Sequence, residues 1–358
     1  MKLPSLEHLF FYVTWECNLH CKHCWVGTTE RYQSILNEEI VENAIKQAVT
    51  LGLRHVKISG GEPLLAKRLT RFIIKTAHDH RIGLSLETNG TLINEEWADF
   101  LAENGVSVSI SLDSANEIEH DLFRGSEGAF ASSVNAVKLL NDRAVPTGIV
   151  MSISDANYEK IDQMIQFCHL YQVAFLKINP IVCMGRAEKE NSDFIFTLTP
   201  DEMMDIRNRY SRRRQFGFPI HIMLPCGLTA IKQIVNQNNG DISCANCPTL
   251  NLLSIMPNGD FGLCADAMLH SVLSFGNIEI QDLSTVWTTS SALKDLRDII
   301  PNKLKGICGH CMARNICKGS CRAVSIIEGG ELGSPHPICN RLHKENRFPL
   351  MVPEGHPN

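Results

Sequence analysis

Between residues 8 and about 215 the chain alternates short β-branched runs with amphipathic stretches, an order that few folds accept. Strand-like runs fall at 9–14, 55–59, 83–87, 106–112, 147–152 and 174–179, and helical patterns at 38–51, 69–80, 95–103, 130–142 and 158–170 separate them. Strands that alternate with helices in this way are joined by right-handed crossovers and lie parallel, side by side. Six such β/α units fit before the pattern fails. Turn residues and cysteines then multiply, and a second region is expected to begin within 218–226.

The most distinctive polar segments sit just after strands, where parallel β/α folds build their sites. Cys17, Cys21 and Cys24 follow the first strand in a C-x3-C-x2-C run. Cluster irons each take one cysteine thiolate, so three close thiolates can clamp three irons of a 4Fe-4S cluster and leave the fourth open. With His20 and His23 alongside, a zinc site is the alternative. Ser59-Gly60-Gly61-Glu62-Pro63 follows the second strand; its glycines let a ligand approach the backbone, and its carbonyls and Glu62 can accept from an ammonium group. Thr88-Asn89-Gly90 ends the third strand and Ser109 to Asp113 the fourth. Turn formation explains any one of these loops. It does not explain four of them in strand order behind a three-cysteine loop.

Composition narrows the function classes. A chain of 358 residues, 44% hydrophobic, can bury a large core in about two domains. A net charge of -5 and 20% charged residues, with no basic arm, argue against nucleic acid. Residues 1–8 contain no apolar signal region, and no apolar stretch is long enough to span a bilayer, so a cytoplasmic location without membrane attachment is expected. Fourteen cysteines in such a chain read as thiols kept reduced for metals.

The cysteine run and the loops after it resemble those of the radical S-adenosylmethionine (SAM) superfamily, over residues 9 to about 187. That resemblance implies an α/β fold, a partial (β/α)6 TIM-type barrel, with SAM chelating the open iron. It also implies that the loop of Gly60, Gly61, Glu62 and Pro63 holds the SAM amino group, that Ser111 contacts its carboxylate, and that Asn89 and Asp113 neighbour the nucleoside. Asn179-Pro180 and Gly185-Arg186 match positions near the adenine. His23 stands where many members carry an aromatic residue, and an imidazole can stack there too. Arg124 is read either as an anchor for a carboxylate of SAM or substrate, or as half of a surface salt bridge.

Cys247, Gly259, Cys264, then Cys308-x2-Cys311-x5-Cys317-x3-Cys321 and Cys339 form a second constellation. Two zinc ribbons are compatible with these spacings. The pattern resembles the SPASM domain, the small cysteine-rich C-terminal extension that carries auxiliary 4Fe-4S clusters. By that resemblance Cys308, Cys311, Cys317 and Cys339 hold one cluster, and Cys247, Cys264 and Cys321 supply three ligands to another. Cys244 is favoured as the fourth, with Cys226 the alternative. Cys168 belongs to an amphipathic helix and is expected to be buried, whereas Cys183, in the loop after the sixth strand, faces the expected cavity and is read as structural, with contact to substrate as the alternative. Domains are expected at 1–225 (radical SAM core), 226–345 (SPASM) and 346–358 (tail). In sulfatase-maturing members an aspartate directly adjacent to the matching cysteine is the base; here Asp266 stands two residues after Cys264, and it is the candidate.

The implied reaction is cleavage of SAM to methionine and a 5′-deoxyadenosyl radical that takes hydrogen from an unactivated carbon. SPASM-containing members most often modify peptides or proteins by crosslinking, oxidation or backbone rearrangement. Peptide maturation is therefore the leading class, with maturation of a small redox cofactor or tetrapyrrole as the alternative. A reducing partner such as flavodoxin or ferredoxin is implied. Because only eight residues precede the first strand, a separate leader-peptide-binding protein is expected as well.

Overall fold

The computed structural model describes residues 3–28, 34–188, 198–210, 217–228, 247–265 and 270–348. Six parallel strands run in chain order: β1 (His8–Tyr12), β2 (His55–Ser59), β3 (Gly83–Thr88), β4 (Ser107–Ser111), β5 (Thr147–Ile153) and β6 (Phe175–Pro180). A short β7 (Ile220–Ile222) pairs in parallel with β6 and extends that edge. The helices between them are α1 (Glu38–Thr50), α2 (Lys67–Asp79), α3 (Glu95–Glu103), α4 (Glu117–Arg124), α5 (Ala129–Asn141), α6 (Ile161–Leu170) and α7 (Pro200–Tyr210). These are the six β/α units that the alternation predicts, arranged in the partial barrel that the resemblance implies.

Local chemistry sets the helix starts. Asn37, Asn94 and Asn116 each take an extended backbone and accept, through the side-chain oxygen, from a first-turn amide of α1, α3 and α4 respectively. Such caps satisfy amides that have no partner within the helix and are worth about 1 kcal/mol each. The short α4 is not among the helices read from the sequence; it is a single capped segment that Gly125 ends in the left-handed conformation.

Strand side chains alternate between two environments. Leu9, Phe11, Val56, Ile58, Leu86, Val108, Ile110, Ile149, Met151, Leu176 and Ile178 are fully buried in the main core, which also takes in the apolar faces of the helices. The opposite faces carry Lys57, Ser59, Glu87, Ser111, Ser152, Lys177 and Asn179, which line a cavity in the barrel lumen. A barrel packed only for stability would fill that lumen with branched apolar side chains.

The sheet does not stop at the expected domain boundary. β8 (Leu252–Ile255) pairs in parallel with β1, in the register His8↔Leu252 to Phe11↔Ile255. β9 (Asp260–Gly262) and β10 (Ser274–Asn277) continue it antiparallel, giving the order β10-β9-β8-β1-β2-β3-β4-β5-β6-β7. Trp287, fully buried in a helix that follows, donates its indole N–H to Pro4 O at 3.0 Å and ties the C-terminal region to the segment before β1. The strand that precedes the cysteine loop is thus an interior strand only because the C-terminal region covers it. Expression of residues 1–225 alone should yield aggregate rather than monomer, because β1 would present an unpaired edge. Size-exclusion chromatography checks this, and a monodisperse monomer would show that the β8 contact is dispensable.

Candidate active site

The cavity at the carboxyl ends of the strands measures about 330 Å³, within the range of about 300–1,000 Å³ usual for small-molecule sites. Cys17, Cys21 and Cys24 line it together with His23, Trp15, Trp25, Gly60, Gly61, Asn89, Ser111, Arg124, Asn179 and Arg186. All three cysteines of the triplet therefore converge on one space.

The loop that carries them has little regular structure and is held from outside. A methyl group on Gly61 would lie 2.1 Å from Glu16 O, one on Gly125 2.6 Å from His20 O, and one on Gly185 2.5 Å from Trp25 O. The chain thus approaches the cysteine loop with bare backbone on three sides. Hydrogen bonds complete the clamp: Gly61 N donates to Thr14 O at 2.7 Å, Glu62 N to Glu16 O at 2.7 Å, His20 N to Arg124 O at 3.1 Å and Arg186 N to Cys24 O at 3.0 Å. The Arg186 side chain adds a bond from Nε to Cys21 O at 2.7 Å.

Gly60 and Gly61 lie at the cavity wall, as the amino-group role requires, but Glu62 and Pro63 lie behind it. Glu62 is fully buried: Oε1 accepts from Leu64 N at 3.0 Å and Thr88 Oγ1 at 2.7 Å, and Oε2 from Asn89 N at 2.9 Å. Burial raises its pKa, against the pull of these hydrogen bonds. Its carboxyl ties the second loop to the third. Asn89 faces the cavity, yet its amide is committed to Asn18 Oδ1 at 2.9 Å and sits 3.9 Å from Cys17 Sγ. Asp113 is buried behind the wall, 2.6 Å from Arg124 Nε, and accepts from Ser152 N at 2.9 Å. Burial is the largest single influence and opposes its ionisation, but Arg124 together with His23, His120 and the Ser152 amide outweighs it and lowers the pKa. Arg124 is no surface residue: it is 7% exposed, pairs with Asp113 and points Nη1 at Cys21 Sγ, 3.7 Å away.

Ser111 and Asn179 line the cavity. The buried Asn179 Oδ1 and His23 Nδ1 have no hydrogen-bond partner, a cost that a polar ligand with matching donors would relieve. His23 stacks on Phe123 with centroids 4.5 Å apart and planes 15° from parallel, and burial lowers its pKa to about 4, so the ring is neutral. Burial also raises Cys17 to about 11 and raises Cys24, so the thiolates there need a metal to form readily. Three converging cysteines and two orphaned polar atoms on one wall fit a cluster with SAM beside it.

Further down the lumen lie residues that the strand reading passed over. Lys57 Nζ is 2.5 Å from Glu87 Oε2, and Lys177 Nζ is 3.4 Å from Oε1 of the same carboxylate. Burial alone would raise the Glu87 pKa, but the two ammonium groups overcome it and hold the value at about 2.

A second, much smaller void is lined by Cys308, Cys311, Cys317 and Cys339, with His336, Gly227 and Phe348 around them. Burial, reinforced by Cys308, Cys317 and Cys311, pushes the Cys339 thiol well up. The buried Arg322 stands beside this set and donates to Leu332 O, Ser334 O and Ser325 Oγ. Among the described residues no three His, Cys, Asp or Glu side chains converge tightly enough for a single ion. Four cysteines around a void suit a polynuclear cluster. Cys247 precedes β8, Cys264 follows β9, and Cys321 caps the helix Arg322–Gly329. Cys244 and Asp266 lie outside the described residues. Cys168 is buried in α6 as expected.

Comparison with known families agrees with this geometry. Residues 12–168 match the Radical SAM superfamily model, and residues 244–312 match SPASM, an iron-sulfur cluster-binding domain. The chain carries a radical SAM domain followed by a SPASM domain. It is an enzyme, with SAM and 4Fe-4S clusters as cofactors and a SPASM domain. It is 25% identical over 343 residues to an AdoMet-dependent heme synthase of Methanosarcina barkeri, covering 91% of this chain and 95% of the relative. It is 27% identical over 353 residues to the mycofactocin maturase MftC of Mycobacterium tuberculosis, covering 96% and 85%. Among solved structures, anSMEcpe with bound AdoMet and Kp18Cys peptide has the same fold, with a TM-score of 0.73, 20% identity and 96% of each chain covered. No helix among the described residues is long and apolar enough to cross a membrane.

Two outcomes follow from the site's geometry. Gly61→Ala should destabilise the protein by at least about 2 kcal/mol, measured by urea unfolding, and should lower iron retention at the cysteine loop. His120, 1% exposed, accepts from Asp113 N at 3.2 Å, and burial holds its pKa at about 4. The unfolded chain therefore binds a proton that the native state refuses between pH 6.5 and 4, and stability falls as pH drops through that window. In His120→Asn, whose carbonyl can still accept from Asp113, the acid-side slope should lessen by up to about 1.4 kcal/mol per pH unit.

Proposed function

We propose that this enzyme matures a peptide, binding SAM at the cavity wall and directing a 5′-deoxyadenosyl radical at a peptide carbon. The observation that carries the reading is the convergence of Cys17, Cys21 and Cys24 on a cavity whose polar lumen continues below them. When bound by these cysteines, a 4Fe-4S cluster supplies the electron that cleaves SAM, and the resulting radical takes hydrogen from the substrate.

The chain's own residues prepare that event. Arg124 and Arg186 place positive charge beside the thiolates and favour their deprotonated form. Tyr12, Trp15 and Trp25 form an edge-on aromatic cluster at the cavity that keeps water from the reacting atoms. Gly60 and Gly61 offer backbone to the SAM amino group, Ser111 a hydroxyl to its carboxylate, and Asn179 and His23 bound its nucleoside. In this reading Cys308, Cys311, Cys317 and Cys339 hold one auxiliary cluster, and Cys247, Cys264, Cys321 and Cys244 or Cys226 hold another. Asp266 is the candidate base, and the domains divide at 225/226. The reaction takes place in the cytoplasm with a flavodoxin- or ferredoxin-like reductant, and a leader-binding protein presents the precursor.

The likeness of fold to an enzyme seen with both AdoMet and a peptide supports a peptide substrate. The heme synthase relative, matched over nearly its full length, favours a second reading, in which the substrate is a tetrapyrrole. Mass spectrometry of candidate precursor peptides incubated with enzyme, SAM and reductant, with and without a leader-binding partner, should reveal a mass change coupled to 5′-deoxyadenosine. If tetrapyrroles stimulate 5′-deoxyadenosine formation and no peptide does, the second reading replaces the first. The cluster assignment has its own check: replacing Cys17, Cys21 and Cys24 together by Ala should abolish 5′-deoxyadenosine while auxiliary iron remains.

A further inference from the structure

Lys57, Glu87 and Lys177 come from β2, β3 and β6 and meet in the lumen. Each stands two residues before a cavity-wall position: Lys57 before Ser59, Glu87 before Asn89, Lys177 before Asn179. At about 3.3 Å per strand residue, the three occupy a layer about 7 Å below the wall assigned to SAM. They lie within the same cavity, on the side away from the cysteine loop.

The charges in this layer do not balance. Among the described residues, Glu87 is the carboxylate paired with either lysine, at 2.5 Å from Lys57 and 3.4 Å from Lys177. It is held ionised, so two ammonium groups and one carboxylate leave one net positive charge. Below the layer, His8 and His55 have pKa values lowered by burial, and His55 bonds Ser85 Oγ at 2.9 Å, so the floor adds neutral rings and no carboxylate. Phe10 lies 4.9 Å from Lys57 Nζ and contributes only its ring face. Nor does the wall above supply a free carboxylate, since Glu87 is the one Asp or Glu among the residues lining the cavity and Asp113, behind the wall, is already paired with Arg124. Each lysine ammonium has three donors, and Glu87 occupies one on each. A half-buried, unbalanced cation pair with donors to spare costs solvation that an anion with several lone pairs would offset.

We infer that Lys57 and Lys177 form a binding subsite for a carboxylate of the substrate, with Glu87 fixing the two ammonium groups in place. The inference deepens the proposed function and rests on its placement of substrate in the lumen. The chemistry is shared by a peptide's C-terminal carboxylate and a tetrapyrrole's carboxylate side chain, and the test separates them.

Holoenzyme reconstituted with iron and sulfide under anaerobic conditions and loaded with SAM is offered two matched pairs of probes. One is a mixed-sequence pentapeptide pool without Asp or Glu, bearing a C-terminal carboxylate or the corresponding amide. The other is coproporphyrin or its tetramethyl ester. Equilibrium binding should favour the acid over its neutral counterpart by about tenfold or more in at least one pair. Lys57→Gln and Lys177→Gln, checked for iron content, should each shrink that preference to about threefold or less, and Glu87→Gln should enlarge it. Acid preference in the porphyrin pair with none in the peptide pair keeps the subsite and assigns its carboxylate to a tetrapyrrole. Peptide acid and amide binding alike, with no acid preference in the porphyrin pair, overturns the subsite and leaves the peptide reading standing. Absence of acid preference in both pairs overturns the subsite.

Discussion

The fold serves to hold an eight-residue cysteine loop that cannot hold itself. Between Cys17 and Cys24 the one internal backbone bond is Cys24 N to Cys21 O, and the remaining support comes from elsewhere in the chain. Close backbone approach is the main device, and it works only because Gly61, Gly125 and Gly185 lack a side chain. These three glycines belong to the loops after β2, α4 and β6, so loop geometry depends on correct barrel closure. The glycines at 60 and 61 read from sequence as room for a ligand. Their tightest constraint is instead the backbone of residues 14–16, and exposure to a ligand is what remains on the other side.

Buried polar groups then lock the clamp. Glu62 accepts three hydrogen bonds and joins the second loop to the third; Asn89 joins the third to Asn18 of the cysteine loop; Asp113 and Arg124 join the fourth strand to Cys21. A network of this kind is costly when half satisfied and rigid when complete. It also sets the electrostatics at sulfur, since the donors aimed at Cys17 Sγ and Cys21 Sγ favour negative charge there. Residues that the family pattern associates with SAM thus also hold the site's frame.

Much of this was legible in the sequence. The alternation predicts each of β1 to β6 to within two residues at either end, because the helix-facing positions from Leu9 to Ile178 are apolar but for Thr88 and Thr147. The cysteine triplet and its following loops mark the cavity because polar turns after successive strands have no packing reason to recur. The lumen was less visible. His55, Lys57 and Ser59, then Ser85 and Glu87, then Ser107, Ser109 and Ser111 recur at period two, whereas strands covered on both faces read as nearly continuous apolar runs. That departure signals a polar interior, although only the curvature of the sheet brings Lys177 on β6 to Glu87 on β3. The short α4 escaped because its exposed Ile118 and Leu122 give it no apolar face to find. The β1–β8 pairing escaped because strand order across about 240 residues is a tertiary choice.

That pairing bears on how the two cysteine-rich regions communicate. β1 leads directly into the Cys17 loop, β8 lies beside it in register, and β9 leads into Cys264. Displacement of the C-terminal region would have to break the β8 ladder or bend β1, and β1 is also paired to β2 through five registered residues. Ladders on both sides leave little freedom for a hinge, because hinges absorb their dihedral change at loops or element ends. The distance from Cys17, Cys21 and Cys24 to Cys264 is therefore set by the sheet rather than by a linker. Any adjustment that admits a substrate falls on the loops around the cavity mouth, above a lumen whose charges are already in place.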